Sequence, residues 1–174
     1  MKKIFLSAMV MAFGLANAQS EEVSAYTGKG DLRLNVGANI QSNATGVVTS
    51  LDYGFGQSFS LGVQAGYLLS VPNDETLGGK PKIGDRFEVK VRANAHLGQV
   101  IGLPANLDVY PGLNLSLKNF GGHLGARYFF GKGFGVFTEL QFPLARYNDG
   151  AKGYELLNNQ FGVLVGASFD LNLK

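Results

Sequence analysis

Residues 86–97, Arg-Phe-Glu-Val-Lys-Val-Arg-Ala-Asn-Ala-His-Leu, alternate without a fault. Phe87, Val89, Val91, Ala93, Ala95 and Leu97 fall in one phase; Glu88, Lys90, Arg92, Asn94 and His96 fall in the other. A period of two is the mark of a strand with one apolar and one polar face. A run of about ten residues is also what a tilted strand needs to cross a bilayer. A chain holding one such strand must keep two unlike faces apart.

Seven further segments share the pattern. The first covers 31–41, with Leu32, Leu34, Val36, Ala38 and Ile40 in the apolar phase, and 42–46 turns the chain. A second runs through Val47, Thr49, Leu51, Tyr53 and Phe55, and a third through Phe59, Leu61, Val63, Ala65, Tyr67 and Leu69. After a long polar loop, 71–84, the opening stretch is the fourth. The fifth carries Leu107, Val109, Leu113, Leu115 and Leu117, with Pro111 predicting a bulge or local distortion because it has no ladder donor. A short loop at 118–122 precedes the sixth, Leu124 to Phe130, and Gly131-Lys-Gly makes a hairpin turn into the seventh, Phe134 to Leu144. A second long loop, 146–158, leads to the last, Phe161 to Leu173. Eight is an even count, and both long loops fall at the same end, an asymmetry that outer-membrane barrels show.

A soluble barrel can also carry eight alternating strands. The glycines decide between the two. Gly37, Gly62, Gly66, Gly112, Gly125, Gly135, Gly162 and Gly166 all lie in the polar phase. On a solvated face glycine only weakens a strand. Inside a narrow barrel it makes room for long neighbours. The polar phase is therefore the inside, and an apolar outside requires lipid. Outward aromatics agree: Tyr53, Phe55, Phe59, Tyr128, Phe130, Phe134 and Phe169 collect towards one end, and Tyr67, Phe87, Phe142 and Phe161 towards the other, as two interfacial girdles would.

The chain starts Met-Lys-Lys, continues apolar from Ile4 to Leu15 and then reads Ala16-Asn17-Ala18. Basic region, short apolar core and small-residue cleavage site spell a secretory signal peptide, cut before Gln19. The organisation read from this is a signal peptide at 1–18, a polar periplasmic lead at 19–30 and an all-β, up-and-down antiparallel transmembrane barrel over 31–174. Cleavage takes Lys2 and Lys3 from the 15 basic side chains, leaving as many as the 13 acidic ones, so nothing points to nucleic acid. The absence of cysteine excludes a disulfide framework and thiol chemistry.

Several stretches have the look of a known group. Asp108-Val-Tyr-Pro-Gly-Leu-Asn-Leu, Leu117-Lys-Asn-Phe-Gly-Gly-His-Leu-Gly-Ala-Arg-Tyr-Phe-Phe, Gly133-Phe-Gly-Val-Phe-Thr-Glu-Leu, Leu157-Asn-Asn-Gln-Phe and the early Thr27-Gly-Lys-Gly-Asp resemble a family of small outer-membrane barrels from Bacteroidota. More distantly the plan is similar to the barrels of outer membrane proteins A and X. The resemblance implies a fold and a place in the outer membrane, and no active residues.

The interior phase holds Arg33, Asp52, Glu88, Lys90, Arg92, His96, Asp108, Arg127, Glu139 and Asp170. Mixed charges in a narrow interior are expected to pair, because an unpaired buried charge is costly. Arg127 with Glu139, across the 131–133 turn, and Arg33 with Asp170, where the last strand must close on the first, are the expected pairs. Glu88, Lys90, Arg92 and Asp108 are further candidates for ion-paired structure. His96 and His123 are expected far apart, at opposite ends of non-adjacent strands, so no shared catalytic or metal site follows. Gly131-Lys-Gly-Phe-Gly resembles a phosphate loop only superficially, since no helix follows it. No cofactor or metal is expected.

The leading expectation is a non-enzymatic, monomeric outer-membrane protein with a structural or surface-interaction role and a lumen plugged by ion pairs. Its partners would be membrane lipid and lipopolysaccharide, with an extracellular partner at loops 71–84 and 146–158. The second is a small pore for ions or very small solutes. The third is a lipid A-modifying enzyme, disfavoured because both histidines are in the lumen phase and the interior is charged.

Overall fold

The computed structural model describes residues 23–71, 81–147 and 153–172. The expected signal peptide, the centres of both long loops and the last two residues lie outside the described residues. Eight strands form one closed antiparallel barrel: β1 (Leu32–Gln41), β2 (Ala44–Gly54), β3 (Phe59–Ser70), β4 (Phe87–Ala95), β5 (Leu107–Ser116), β6 (Asn119–Gly131), β7 (Phe134–Arg146) and β8 (Gly162–Asp170). Each pairs with the next in the chain, and β8 pairs back on β1, with Arg33 directly opposite Asp170. The two short turns after β2 and β6 lie at the end that holds the start of β1 and the finish of β8. This is the terminal end, and the opposite one is the loop end.

The alternation is obeyed on the outside. Val63, Val91, Leu113 and Val165 are about half exposed, at 52%, 56%, 50% and 47%. Inside, polar residues dominate the buried set, among them Arg33, Asp52, Arg92, Asn94, His96, Asp108, Arg127 and Glu139. Glycine supplies the room. A Cβ at Gly125 would strike the Tyr110 ring, and one at Gly112 the His123 ring.

The distortion expected at Pro111 takes the second of its two forms. There is no bulge: β5 passes it in unshifted register against β6, with Pro111 opposite Leu124. What it breaks is the β4–β5 ladder, which ends at Asn94 opposite Gly112 and resumes where the Leu97 N–H donates to the Val109 carbonyl at 2.9 Å. The missing proline N–H accounts for the gap. Residues 119–122 are not loop but the start of β6, paired with β7 through a bulge near Phe120. Two glycines there read as loop, but Gly122 lies opposite Phe142, whose ring packs where a Cβ would stand. The interior is also not wholly polar. Val48, Phe137 and Leu164 form a buried apolar cluster on one wall, and Phe129, 1% exposed, lies inward as well.

Both ends are covered. At the terminal end the lead folds into the mouth, with Ala25 and Tyr26 0% and 4% exposed. Gly28 and Gly30, at φ +95° and +87°, take left-handed conformations that other residues avoid and turn the lead into β1. At the loop end a helical turn, Ile83–Arg86, and a 3₁₀ turn, Gly153–Leu156, lie in the later parts of the two long loops. Tyr154 and Leu157 pack on Ala44 and Leu68 over the opening. Asn119 Nδ2 donates to the Asn158 carbonyl at 2.7 Å and Asn159 Oδ1 at 2.8 Å, tying the loop to the wall.

Candidate functional site in the barrel lumen

The alternation of eight strands aims the chemistry of this chain inward, where it forms stacked layers. The outermost, at the terminal end, centres on Arg33. Its Nη2 and Nε donate to Asp31 at 2.7 and 2.9 Å, and its Nη1 lies 3.0 Å from Asp170 Oδ2. The guanidinium also lies 4.7 Å above the Phe129 ring. The Arg33–Asp170 contact follows from their register at the closing seam.

Above this layer lies Tyr26. Its ring stacks on His96 with centroids 3.6 Å apart and planes 10° off parallel. Its hydroxyl donates to the carbonyls of Gly56 at 2.7 Å and Phe59 at 2.8 Å. Burial, and the nearby Asp31 carboxylate, push that hydroxyl up to about 12. Beneath the ring, His96 Nδ1 is 2.7 Å from Asp108 Oδ2 and His96 Nε2 is 2.8 Å from Ser60 Oγ. The Gly98 N–H donates to Asp108 Oδ1 at 3.3 Å. Arg127 Nε lies 3.4 Å from the same carboxylate, its guanidinium 4.5 Å above the Tyr110 ring.

The middle layer is built on Arg92. Nη2 donates to Glu139 Oε2 at 2.6 Å, Nη1 donates to Gln64 Oε1 at 2.9 Å, and Nε is 3.2 Å from Asp52 Oδ1. Gln141 donates to Glu139 Oε1 at 2.7 Å. Asn94 bridges the layers: Nδ2 donates to Ser60 Oγ at 2.9 Å, and Oδ1 is 2.7 Å from His123 Nε2. Nearest the loop end, Lys90 pairs with Glu88 at 3.2 Å, and Ser116 donates to Glu88 at 3.0 Å.

The expected Arg127–Glu139 pair is therefore not made. In register, Glu139 lies opposite Gly125 while Arg127 lies opposite Phe137. Glu139 reaches across the lumen to Arg92, and Arg127 turns to Asp108, its register partner on the adjacent strand β5. The two histidines are likewise not remote. They join one chain of contacts through Ser60 and Asn94, and both rings border Tyr110, at 5.9 and 6.3 Å between centroids. Because β6 begins earlier than expected, His123 lies deeper in the barrel. Sequence reasoning did not single out Ser60, Asn94, Gln64, Gln141 or Tyr110. Their inward phase was visible, but β3 and β4 are joined by a long loop, so the register that sets Ser60 opposite Asn94 was not. Tyr26 had no signal beyond being an aromatic in a polar lead.

Cavities of about 10 Å³ lie beside Gln64, Lys90 and Gln141, and beside Tyr26, His96 and Asp108. Each holds about one water. Among the described residues no group of three or more His, Cys, Asp or Glu side chains is placed to hold a metal ion.

A family profile described as a family of unknown function (DUF6646) matches residues 12–171, and the chain belongs to that family. No curated protein matches the chain. Among solved structures, one from the de novo design of transmembrane beta-barrels is similar in fold, with a TM-score of 0.59 at 14% identity. The match covers 83% of this chain and 98% of that one.

Proposed function

We propose that this member of a family of unknown function is a monomeric outer-membrane barrel that is closed at rest and serves the envelope as a structural or surface-interaction protein. The observation that carries the reading is the filled lumen. Three arginines hold carboxylates between the walls, and folded segments cover both mouths. A pore needs a continuous wet path, and among the described residues the lumen cavities beside Gln64 and beside Tyr26 are about 10 Å³ each, room for about one water. Placement in the outer membrane is supported by the export segment read in 1–18, by strands of 9–13 residues and by short turns at one end facing long loops at the other. The loop end carries Lys82 and Arg146, both exposed. These cations suit the phosphates of lipopolysaccharide, and the loops 71–84 and 146–158 are where an extracellular partner would bind.

Conductance of the refolded barrel in a planar bilayer tests this. A silent bilayer, with insertion verified by protease protection, is the expected result. Steady discrete openings that change on Glu139→Gln would make the lumen a path and replace this reading with a small pore.

A further inference from the structure

We propose that Ser60, His96 and Asp108 form an acyl-transfer site that the N-terminal lead masks, and that its substrates are small carboxylic esters with an aromatic or short acyl group. The contacts have the order such chemistry requires. Asp108 Oδ2 at 2.7 Å orients His96 through Nδ1, and His96 Nε2 faces Ser60 Oγ at 2.8 Å. Asp108 is itself held by the Gly98 N–H and by Arg127, so it stays an acceptor. Asn94 Nδ2, 2.9 Å from Ser60 Oγ, is a donor beside the reacting oxygen.

The mask indicates the substrate. The Tyr26 ring lies flat on His96, and its hydroxyl reaches the carbonyl of Phe59, the residue before Ser60. A phenol therefore already covers the base and ends at the backbone of the residue before the nucleophile. When the lead lifts, an aryl or short acyl group of that size fits the vacated slot beside Gln57, Gln99 and Leu107. Ser60 Oγ then bonds to the ester carbonyl carbon as its proton passes to His96 Nε2. The carbon–oxygen bond to the alcohol breaks, and that proton leaves with the alcohol. Water attacks the acyl-serine in the same way, releasing the carboxylic acid and restoring Ser60. Ester and water become acid and alcohol, with no other reactant.

The test is covalent labelling of the refolded full-length barrel with a fluorophosphonate, the modified peptide located by mass spectrometry. Folding is checked by heat-modifiable migration. Tyr26→Ala, which removes the stack, should label at Ser60 about tenfold faster than the parent, because labelling follows the open population. Adding Asp108→Asn should slow that labelling by about a hundredfold or more, since the histidine loses its tautomer. Hydrolysis of p-nitrophenyl acetate should follow the same order. A second variant, Gln99→Ala, loosens the lead by removing the 3.1 Å bond from Gln99 Nε2 to the Tyr26 carbonyl and leaves the three residues intact. It decides the matter if Tyr26→Ala does not fold. Folded variants with an opened lead and an unlabelled Ser60 overturn the proposal, as does labelling unaffected by Asp108→Asn. Neither result bears on conductance, so the closed-barrel reading stands or falls separately.

Discussion

Arg92 is one guanidinium shared by two carboxylates, Glu139 at 2.6 Å and Asp52 at 3.2 Å, and all three side chains are 2% exposed or less. Removing the cation leaves two buried anions facing each other in a low-dielectric space. Arg92→Met is expected to destabilise the barrel by about 3–5 kcal/mol, the range for breaking a buried pair from one side. Asp170 is different. It is 19% exposed, and its partner Arg33 keeps the Asp31 carboxylate. Asp170→Asn should cost no more than about 1 kcal/mol. Urea unfolding in detergent separates the two, and equal losses would contradict the layered account. The sequence showed that these side chains face inward, since a period of two assigns the face of every strand residue. Partner choice was not legible. Inside a barrel a long side chain reaches the opposite wall as easily as its neighbour, and Glu139 crosses to Arg92.

The lead is the element that changes the picture most. Its twelve residues, 19–30, gave no period, yet Tyr26 docks in the mouth and Gly28 and Gly30 steer the chain under it. Its docking has a pH signature. The Tyr26 hydroxyl is raised from 10.0 to about 12 by burial, so the docked form holds the neutral phenol. The contribution is complete below pH 10, where free tyrosine is also neutral, and is lost as pH rises through about 12. Phenolate absorbance of the parent minus that of Tyr26→Phe should titrate near 12; a midpoint near 10 would mean that the lead is undocked. β6 teaches a similar lesson. Residues 118–122 read as a short loop because glycine usually breaks strands, but here the bare backbone of Gly122 accommodates the Phe142 ring on the outside. That packing partner lies on another strand, beyond the reach of local pattern.

As a whole the molecule inverts the usual soluble plan, with charge inside and an apolar belt outside. The belt runs through Val63, Val91, Leu113 and Val165, all about half exposed. A band that encircles the barrel is more apolar surface than a soluble monomer leaves bare. Rings gather at its terminal edge, where Phe130 and Phe134 lie 6.3 Å apart and Phe134 and Phe169 5.7 Å apart. Aromatic rings at such a boundary suit the lipid–water interface. The strand count, the closure and the inside–outside assignment were all legible, because the period fixes faces and the polar-phase glycines identify the lumen. The covers over both mouths were not, because they come from segments without a period.

The chain has no cysteine, so single labelling sites can be introduced cleanly. Nitroxides at Val63, Val91 and Val165, with one at Lys82 in the loop end as reference, would be measured in liposomes for collision with oxygen and with a water-soluble nickel complex. The account predicts high oxygen and low nickel collision at the three belt positions, and the reverse at Lys82. Nickel reaching the belt positions as freely as Lys82 would mean that water, not lipid, covers the apolar face, and would contradict the membrane barrel.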